Sequence, residues 1–446
     1  MDMEQSFLQL GMAPFRALLP RDRQSLLKWC IIACDQYTAD GTYWQQVEDA
    51  VGDAPSTLRM VLPEYYLDTP EEEARIASLT QTMESYLAGD VFAELPPGFL
   101  LVERTFSTGQ TRQGLLTALD LECYDYHEGA TSPIRATEGT IEARIPPRLR
   151  VREHAAVELP HIMVLVDDRQ HSIIRPLLEN RAAYQKVYDS PLGFDMGAIA
   201  GWHIPLEGAG NLLAAMESYR EGLSGDDPIV FAMGDGNHSL ATAKAHWENV
   251  KRNLSLGEQA SHPARFALVE LVNLYDPGLT FHAVHRVVFT KDIHTACDEM
   301  FTGIQNAGYA IGVVPADDAI AASYMDGTLW ELKRADANTV LCRAHGQTGL
   351  MHLPVGQGVP TAITAIDKGI AAYLENHPDA TVDYIHGEKE ALALTEGGKA
   401  MAFLVPPMEK EALFPYVHKY GPLPRKTFSM GEAQEKRCYL EARRIR

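Results

Sequence analysis

An α+β fold in two unequal units is what the sequence predicts, on three observations. The chain has 446 residues, more than one ordinary domain needs. Its front third mixes helix and strand signals. After about residue 290 the mixture restarts as a smaller unit of roughly 130 residues. The expected division is a larger domain over 1–290, a smaller α+β domain over 291–420, and a tail over 421–446 rich in Lys and Arg that packs near the site.

The elements follow in chain order. In "TPEEEARIASLTQTMESYLAG", Thr69 stands as N-cap, Pro70 at the first helical position and Glu72 three residues after the cap, which predicts a helix over 70–87. "GFLLVERTF" (98–106) and "GLLTALDLECYDY" (114–126) read as strands, and "STGQTRQ" between them as a hairpin. "ELPHIMVLVDD" (158–168) and "DPIVFAMGDG" (227–236) have the short apolar runs of buried strands. "RFALVELVNLYDPG" (265–278) fits either a buried strand or a short helix. In the second unit "YAIGVVP", "TLWELKRAD", "TVLCRAH", "TVDYIHG" and "KAMAFLVPP" read as strands. "AITAIDKGIAAYLENH" reads as a helix, and another begins near Met408.

Composition narrows the function. Hydrophobic residues are 46% and charged residues 22% of the chain, ordinary for a folded globular protein. The formal net charge of −21 repels phosphate backbones and anionic membranes, which argues against nucleic-acid and membrane partners. The first residues lack a basic leader followed by an apolar run, and no stretch is long and apolar enough to span a bilayer, so a cytoplasmic protein is expected. Six scattered cysteines (Cys30, Cys34, Cys123, Cys297, Cys342, Cys438) fit reduced thiols better than a disulfide frame or zinc site, and Cys30 with Cys34 reads as core packing. A homodimer rests on the base rate of symmetric oligomers alone.

Five stretches carry polar groups suited to chemistry. In "FAMGDGNHSLATAKAHWENVKRN" (231–253) an apolar strand ends at Gly234-Asp235-Gly236-Asn237-His238, where a helix begins. Free N–H groups and the positive end of the helix dipole make that a place for an anion, with Asp235 and His238 at its mouth. The plain alternative, weighed about equally, is that Asp235 or Asn237 caps the helix. "RATEGTIEARIPPRLRVREH" holds five arginines against two glutamates between Arg135 and Arg152, without obvious helical or strand period, and Pro146 and Pro147 stiffen it. It reads as a shaped phosphate-binding loop, against the alternative of a solvated charge run. "DPGLTFHAVHRVV" (276–288) supplies Asp276, His282, His285 and Arg286. Its valines favour a strand, which would point the two histidines to opposite faces and disfavour a zinc site. "LPRKTFSM" (423–430) places Arg425, Lys426 and Thr427 after a proline turn, either gripping phosphate or merely exposed. "IIACDQYTADGTYW" (31–44) sets Asp35, Gln36, Tyr37 and Thr38 after an apolar stretch, as a site edge or a helix end. No Walker, Rossmann, GxSxG or HExxH pattern is present.

The ordered succession "IACDQYT", "ATEGT", "PPRLRVREHA", "HIMVLVDD", "GDGNHSLATA", "DPGLTFHAVHRVV" and "LPRKTFSM" resembles, over nearly the whole chain, the domain-of-unknown-function family number ten-fifteen, whose hallmark is DGHHR followed by a helix. That family resembles the superfamily of ParB, sulfiredoxin and the free-serine kinases. The resemblance implies a ParB/sulfiredoxin-like mixed-sheet core. It also implies phosphoryl transfer to or from a small hydroxylated metabolite, L-serine first, with pyrophosphate or ADP/ATP as donor and Mg²⁺ as cofactor. Carried over by position, Asp235 becomes the base or Mg²⁺ anchor, with Glu138 in reserve, and His238 a phosphoryl contact. The phosphate or nucleotide set is Gly234, Gly236, Asn237, Ser239, Arg135, Arg144, Arg148, Arg150, His285, Arg286, Lys426 and Thr427, and Asp35, Gln36, Tyr37 and Thr38 would hold the amino acid. Two departures stand out: Asn237 replaces the motif's first histidine, and Ser239 replaces its arginine, a phosphate ligand that the 135–152 arginines or Lys426 would have to replace. The turn has no cysteine for sulfiredoxin chemistry, and no helix-turn-helix supports ParB-like DNA clamping. A non-catalytic nucleotide-binding regulator and a phosphatase or other hydrolase stay open as alternatives.

Overall fold

The structure, a computed structural model, describes residues 2–23, 26–34, 37, 40–325 and 337–446. The chain divides into two compact units, Met1–Thr280 with Gly431–Arg446, and Phe281–Met430. The strand Phe281–Phe289 therefore opens the second unit, and the end of the tail folds with the first.

The first unit is built on a ten-stranded mixed sheet. Its order is Gln185–Pro191, Ala198–Pro205, Gly98–Thr105, Thr111–Asp120, Phe266–Asn273, Met163–Val166, Phe231–Asp235, Ile134–Arg135 and Tyr124–Asp125, with Met12–Ala13 paired to Thr111–Asp120. The first five are antiparallel neighbours. Met163–Val166 then joins Phe266–Asn273 in parallel, and Phe231–Asp235 joins it antiparallel. Both faces are covered, which is why these strands are nearly continuous apolar runs. One face packs Phe99, Leu101, Leu115, Leu119 and Val269 against helices Met3–Gln9, Ile174–Glu179, Gly210–Gly222 and Asn237–Lys251. The other packs Leu100, Val102, Leu116 and Leu268 against the segment around 15–32, the helix Glu72–Ala88 and the C-terminal residues Leu440, Ala442 and Ile445.

The second face also buries charge. Arg437 Nε lies 2.8 Å from Glu270 Oε2, an ion pair without hydrogen-bond alignment, and both side chains are 1% exposed. Arg437 also binds Glu441, whose other oxygen takes the Tyr188 hydroxyl. Arg112 stands 3.5 Å from Glu270 and donates to the Glu435 carbonyl at 2.6 Å, while Arg104 donates to the Gln434 carbonyl at 3.1 Å. Gly114 makes room for this network, because a Cβ there would run into the Glu270 carboxylate.

The second unit is an antiparallel sheet in the order Gly312–Ala316, Gln347–Pro354, Ala337–Ala344, Ala400–Leu404, Phe281–Phe289 and Thr381–His386, with Phe428–Met430 added to the start of Phe281–Phe289. Helices Ile293–Asn306 and Val359–Asn376 bury Ala296, Met300, Ile304, Ile363, Ile366 and Ile370 against one face. The α+β class expected from the pattern is the class observed. The strand expected at 328–336 lies outside the described residues.

Two local expectations are corrected. The helix expected over 70–87 runs Glu72–Ala88. Thr69 does not cap it; instead its hydroxyl donates to the Tyr66 carbonyl and Glu72 reaches back to the Asp68 N–H. The arginine-rich segment is not an aperiodic loop, since Ile145–His154 is an α-helix with Pro146 and Pro147 in its first turn. Proline is tolerated there because the first N–H groups of a helix have no intrahelical partner.

Removing Arg437 would leave Glu270 and Glu441 without their shared buried cation. Arg437→Ala is expected to destabilise the first unit by about 3–5 kcal/mol in denaturant unfolding; a loss below about 1 kcal/mol would show that the network is not what holds the C-terminal segment.

Candidate functional site

The site forms where the strand Phe231–Asp235 gives way to the helix Asn237–Lys251. The pairing of that strand with Met163–Val166 slips between Met233 and Asp235, so Asp235 stands opposite Met163. Gly236 then turns the chain with φ +85°, a left-handed conformation that glycine adopts without cost, and a Cβ there would press on Ile162 at 3.1 Å. The slip and the turn bring His161, just before its strand, beside the helix's first turn. Its Nε2 lies 2.8 Å from Ser239 Oγ.

Gly236 is the N-cap, and no side chain caps the helix. The capping alternative for Asp235 and Asn237 is therefore not what is found. Asp235 Oδ1 accepts the Gly236 N–H at 2.8 Å, and Oδ2 lies 3.0 Å from Lys436 Nζ, which the C-terminal segment delivers. The same segment sets Tyr439 over His161, with ring centroids 5.2 Å apart. Asn237 Oδ1 is buried without a hydrogen-bond partner. Beside it, the loop 136–141 is tied down by Thr137 Oγ1, which donates to the Met233 carbonyl at 2.7 Å, and by the Ile141 N–H, which donates to His238 Nε2 at 3.3 Å. Thr140 Oγ1 in that loop is likewise buried and unpartnered.

Burial pushes the His161 imidazole below its ordinary pKa; the nearby Asp235 and Glu64 carboxylates oppose that shift and Arg148 adds to it. Because the folded-state value is depressed, His161 is neutral at pH 7, and the stability tied to that neutrality is present above about 6.5 and lost as pH falls. A neutral imidazole against a serine hydroxyl, next to a carboxylate–ammonium pair, can accept a proton beside a helix end whose free N–H groups suit an anion.

The other residues singled out in the sequence fall into distinct places. Gly234, Asp235, Gly236, Asn237, His238 and Ser239 lie together at the turn. Glu138 belongs to the loop fastened there. Arg148 binds Glu64, and its charge acts on both His161 and Tyr439, which puts it at the site's edge. Arg135 is not part of that edge: it is 4% exposed and fixed by Asp227 and the Ser132 carbonyl. Arg150 is held by Glu72 at 3.1 Å, and Arg144 is exposed just before its helix. His285, Arg286, Lys426 and Thr427 belong to the second unit. There Arg286 is fully buried, binds Asp367 at 2.9 Å and donates to the Arg425 and Lys426 carbonyls, so its guanidinium is a brace for that turn. Burial lowers the His285 pKa to about 4. Thr427 donates to the Pro424 carbonyl. Tyr37 stacks on Tyr43 at 3.7 Å, and Asp35, Gln36 and Thr38 lie outside the described residues.

Three residues at the turn escaped the sequence reading: His161, Lys436 and Tyr439. His161 had a signal, an imidazole directly before a buried apolar run. Lys436 and Tyr439 had none beyond the basic character of the tail.

The family described as "Protein of unknown function (DUF1015)" matches residues 12–355, and the chain belongs to it. No curated protein matches the chain in sequence. Among solved structures, a free serine kinase in complex with AMP is 9% identical, with TM-score 0.40, covering 74% of this chain and 92% of its own. A conserved hypothetical protein from Pyrococcus furiosus is 9% identical, with TM-score 0.36, covering 71% and 90%. SbnI with a C-terminal truncation, from Staphylococcus aureus, is 11% identical, with TM-score 0.35, covering 71% and 82%. None of these figures assigns an activity. No helix among the described residues is long and apolar enough to cross a membrane.

The electrostatics carry a direct check. Asp235 raises the His161 pKa against the effect of burial, so Asp235→Asn is expected to move the imidazole titration, followed by NMR, to still lower pH. An upward shift would mean that the carboxylate does not act on this ring.

Proposed function

We propose that the first unit catalyses phosphoryl transfer to or from the hydroxyl of a small metabolite, with L-serine the first acceptor to test and pyrophosphate or an adenine nucleotide the donor. The observation that carries this reading is the uncapped N-terminus of Asn237–Lys251, faced by Lys436 and Asp235 and flanked by the neutral His161. Helix amides and an ammonium suit a phosphoryl group, and such transfer depends chiefly on positioning and charge neutralisation. The two orphaned buried oxygens, Asn237 Oδ1 and Thr140 Oγ1, add unspent hydrogen-bonding capacity at the same place.

In this reading His161 receives the proton of the attacking hydroxyl, and Ser239 fixes the ring. Asp235, whose oxygens are engaged by the Gly236 N–H and Lys436, orients the ammonium and stabilises the imidazolium as it forms. Glu138 remains the reserve base. Lys436 and Arg148 stand in for the arginine that the family motif carries where this chain has Ser239. Tyr439 walls the imidazole from water.

Magnesium fits in a limited sense. No group of three or more ligand side chains occurs among the described residues, but Mg²⁺ is commonly held by one carboxylate, waters and the substrate's own phosphates. Asp235 is the residue that would meet such an ion, which would neutralise charge on the donor.

The Ser239–His161 contact also favours a second reading, a hydrolase that passes the phosphoryl group to water. The two readings separate in one assay. Phosphoserine is expected from L-serine, Mg²⁺ and one of pyrophosphate, ADP or ATP, with kcat reduced at least about 10²-fold in His161→Ala and in Asp235→Asn. Phosphate release without any amino acid would favour the hydrolase. No turnover with any donor, while nucleotide still binds to Asp235→Asn, would leave a regulator.

A further inference from the structure

Cys30 and Cys438 come from opposite ends of the chain and meet inside the first unit. Their thiols act on each other's protonation, and both residues are 0% exposed. The backbones that carry them cross beside an antiparallel bridge between Ile31 and Tyr439, where the Tyr439 N–H donates to the Ile31 carbonyl at 2.9 Å. Trp29 Nε1 donates to the Leu440 carbonyl at 2.9 Å, fixing the same crossing one step further on.

Cys438 has a charged environment. Its Sγ accepts from Arg104 Nη1 at 3.2 Å and faces Arg437 Nη1 at 3.8 Å; Glu441 is the opposing charge. The Cys30 thiol and the two guanidiniums bring the Cys438 thiol below its ordinary range, against the effect of burial. Cys30 moves the other way, so it keeps its proton. Burial raises Cys297 to about 11 and Cys342 to about 12, and it raises Cys123 as well. Since the thiolate is the reactive form, the difference singles out one sulfur.

We propose that Cys438 and Cys30 are an oxidative modification site, in which peroxide converts the pair to a disulfide that staples the C-terminal segment to the segment around Trp29. The Cys438 thiolate attacks one oxygen of hydrogen peroxide. The O–O bond breaks, hydroxide leaves and takes a proton to become water, and Cys438 is left as a sulfenic acid. The Cys30 sulfur then attacks Cys438 Sγ; the S–O bond breaks, and the departing hydroxyl leaves as water with the Cys30 proton. Two thiols are oxidised by two electrons, and one peroxide is reduced to two waters. The burial of both sulfurs selects a small oxidant over bulky disulfides or alkylating reagents. The product holds in place the segment that carries Lys436 and Tyr439.

The test uses the full chain under native conditions, treated with hydrogen peroxide and mapped by mass spectrometry without reduction. The expected result is a Cys30–Cys438 crosslinked peptide, a loss of about 2 Da, and a melting temperature that rises and returns on reduction. In C30S the sulfenic acid cannot resolve, and dimedone present as the oxidised protein is unfolded is expected to label Cys438. Oxidation confined to Cys34, Cys123 or Cys297 while Cys30 and Cys438 stay reduced would overturn the proposal. The wild-type map decides this whether or not the variant folds. After brief exposure to peroxide and unfolding in dimedone, label on Cys30 instead of Cys438 in the wild-type protein would overturn the assigned order of attack.

Discussion

The first unit depends on the ion pair between Glu270, in a central strand, and Arg437, near the C-terminus. A lone carboxylate on that sheet face would be strongly destabilising, and so would a lone guanidinium. Together with Arg112, Glu441 and the Tyr188 hydroxyl they leave the C-terminal segment few alternative positions. A buried apolar contact could hold the segment to the sheet as firmly, but without fixing its register residue by residue. That register matters: Lys436 reaches Asp235 on one side of Arg437, and Tyr439 covers His161 two residues on.

The site thus joins three pieces far apart in sequence. The strand–turn–helix supplies Asp235, the uncapped amides and Ser239. The residues leading into the strand beside it supply His161, which is in reach because the pairing slips near Asp235 and Gly236 lets the chain turn against Ile162. The C-terminal segment supplies the cation. Two opposing effects set the protonation of His161: burial favours the neutral ring and the carboxylates favour the charged one, and burial is the larger.

Local pattern made the strand–glycine–helix unit legible, because an apolar run of strand length followed by Gly-Asp-Gly and a helical period has few other solutions. The hairpin strands around residue 109 and the helix Val359–Asn376 were legible for the same reason. The segment 145–154 misled, since two prolines and a run of arginines hide a helical period whose partners, Glu64 and Glu72, lie far back in the sequence. Lys426 drew attention over Lys436 because its proline turn is a local feature, whereas the pairing of Lys436 with Asp235 is set by the distant Arg437–Glu270 contact. Contacts of this kind are a property of the assembled sheet and leave no mark in a window of ten residues.

Charge at the site also bears on what it can accept. Across the whole chain acidic residues exceed basic ones by enough to repel an anion. At the turn, however, Asp235 is matched by Lys436, and Glu64 by Arg148, so the two acids are locally compensated. The helix end adds a partial positive charge that no side-chain cap offsets. An arginine in place of Ser239 would add a full positive charge but remove the hydroxyl that holds His161. Under the proposed function, the charge for an anion comes from partners outside the turn, and Ser239 fixes the imidazole. In the proposed reading, with Ser239 where the resembled motif has an arginine, the anion-binding charge lies on the C-terminal segment, and the site is complete only when that segment is docked.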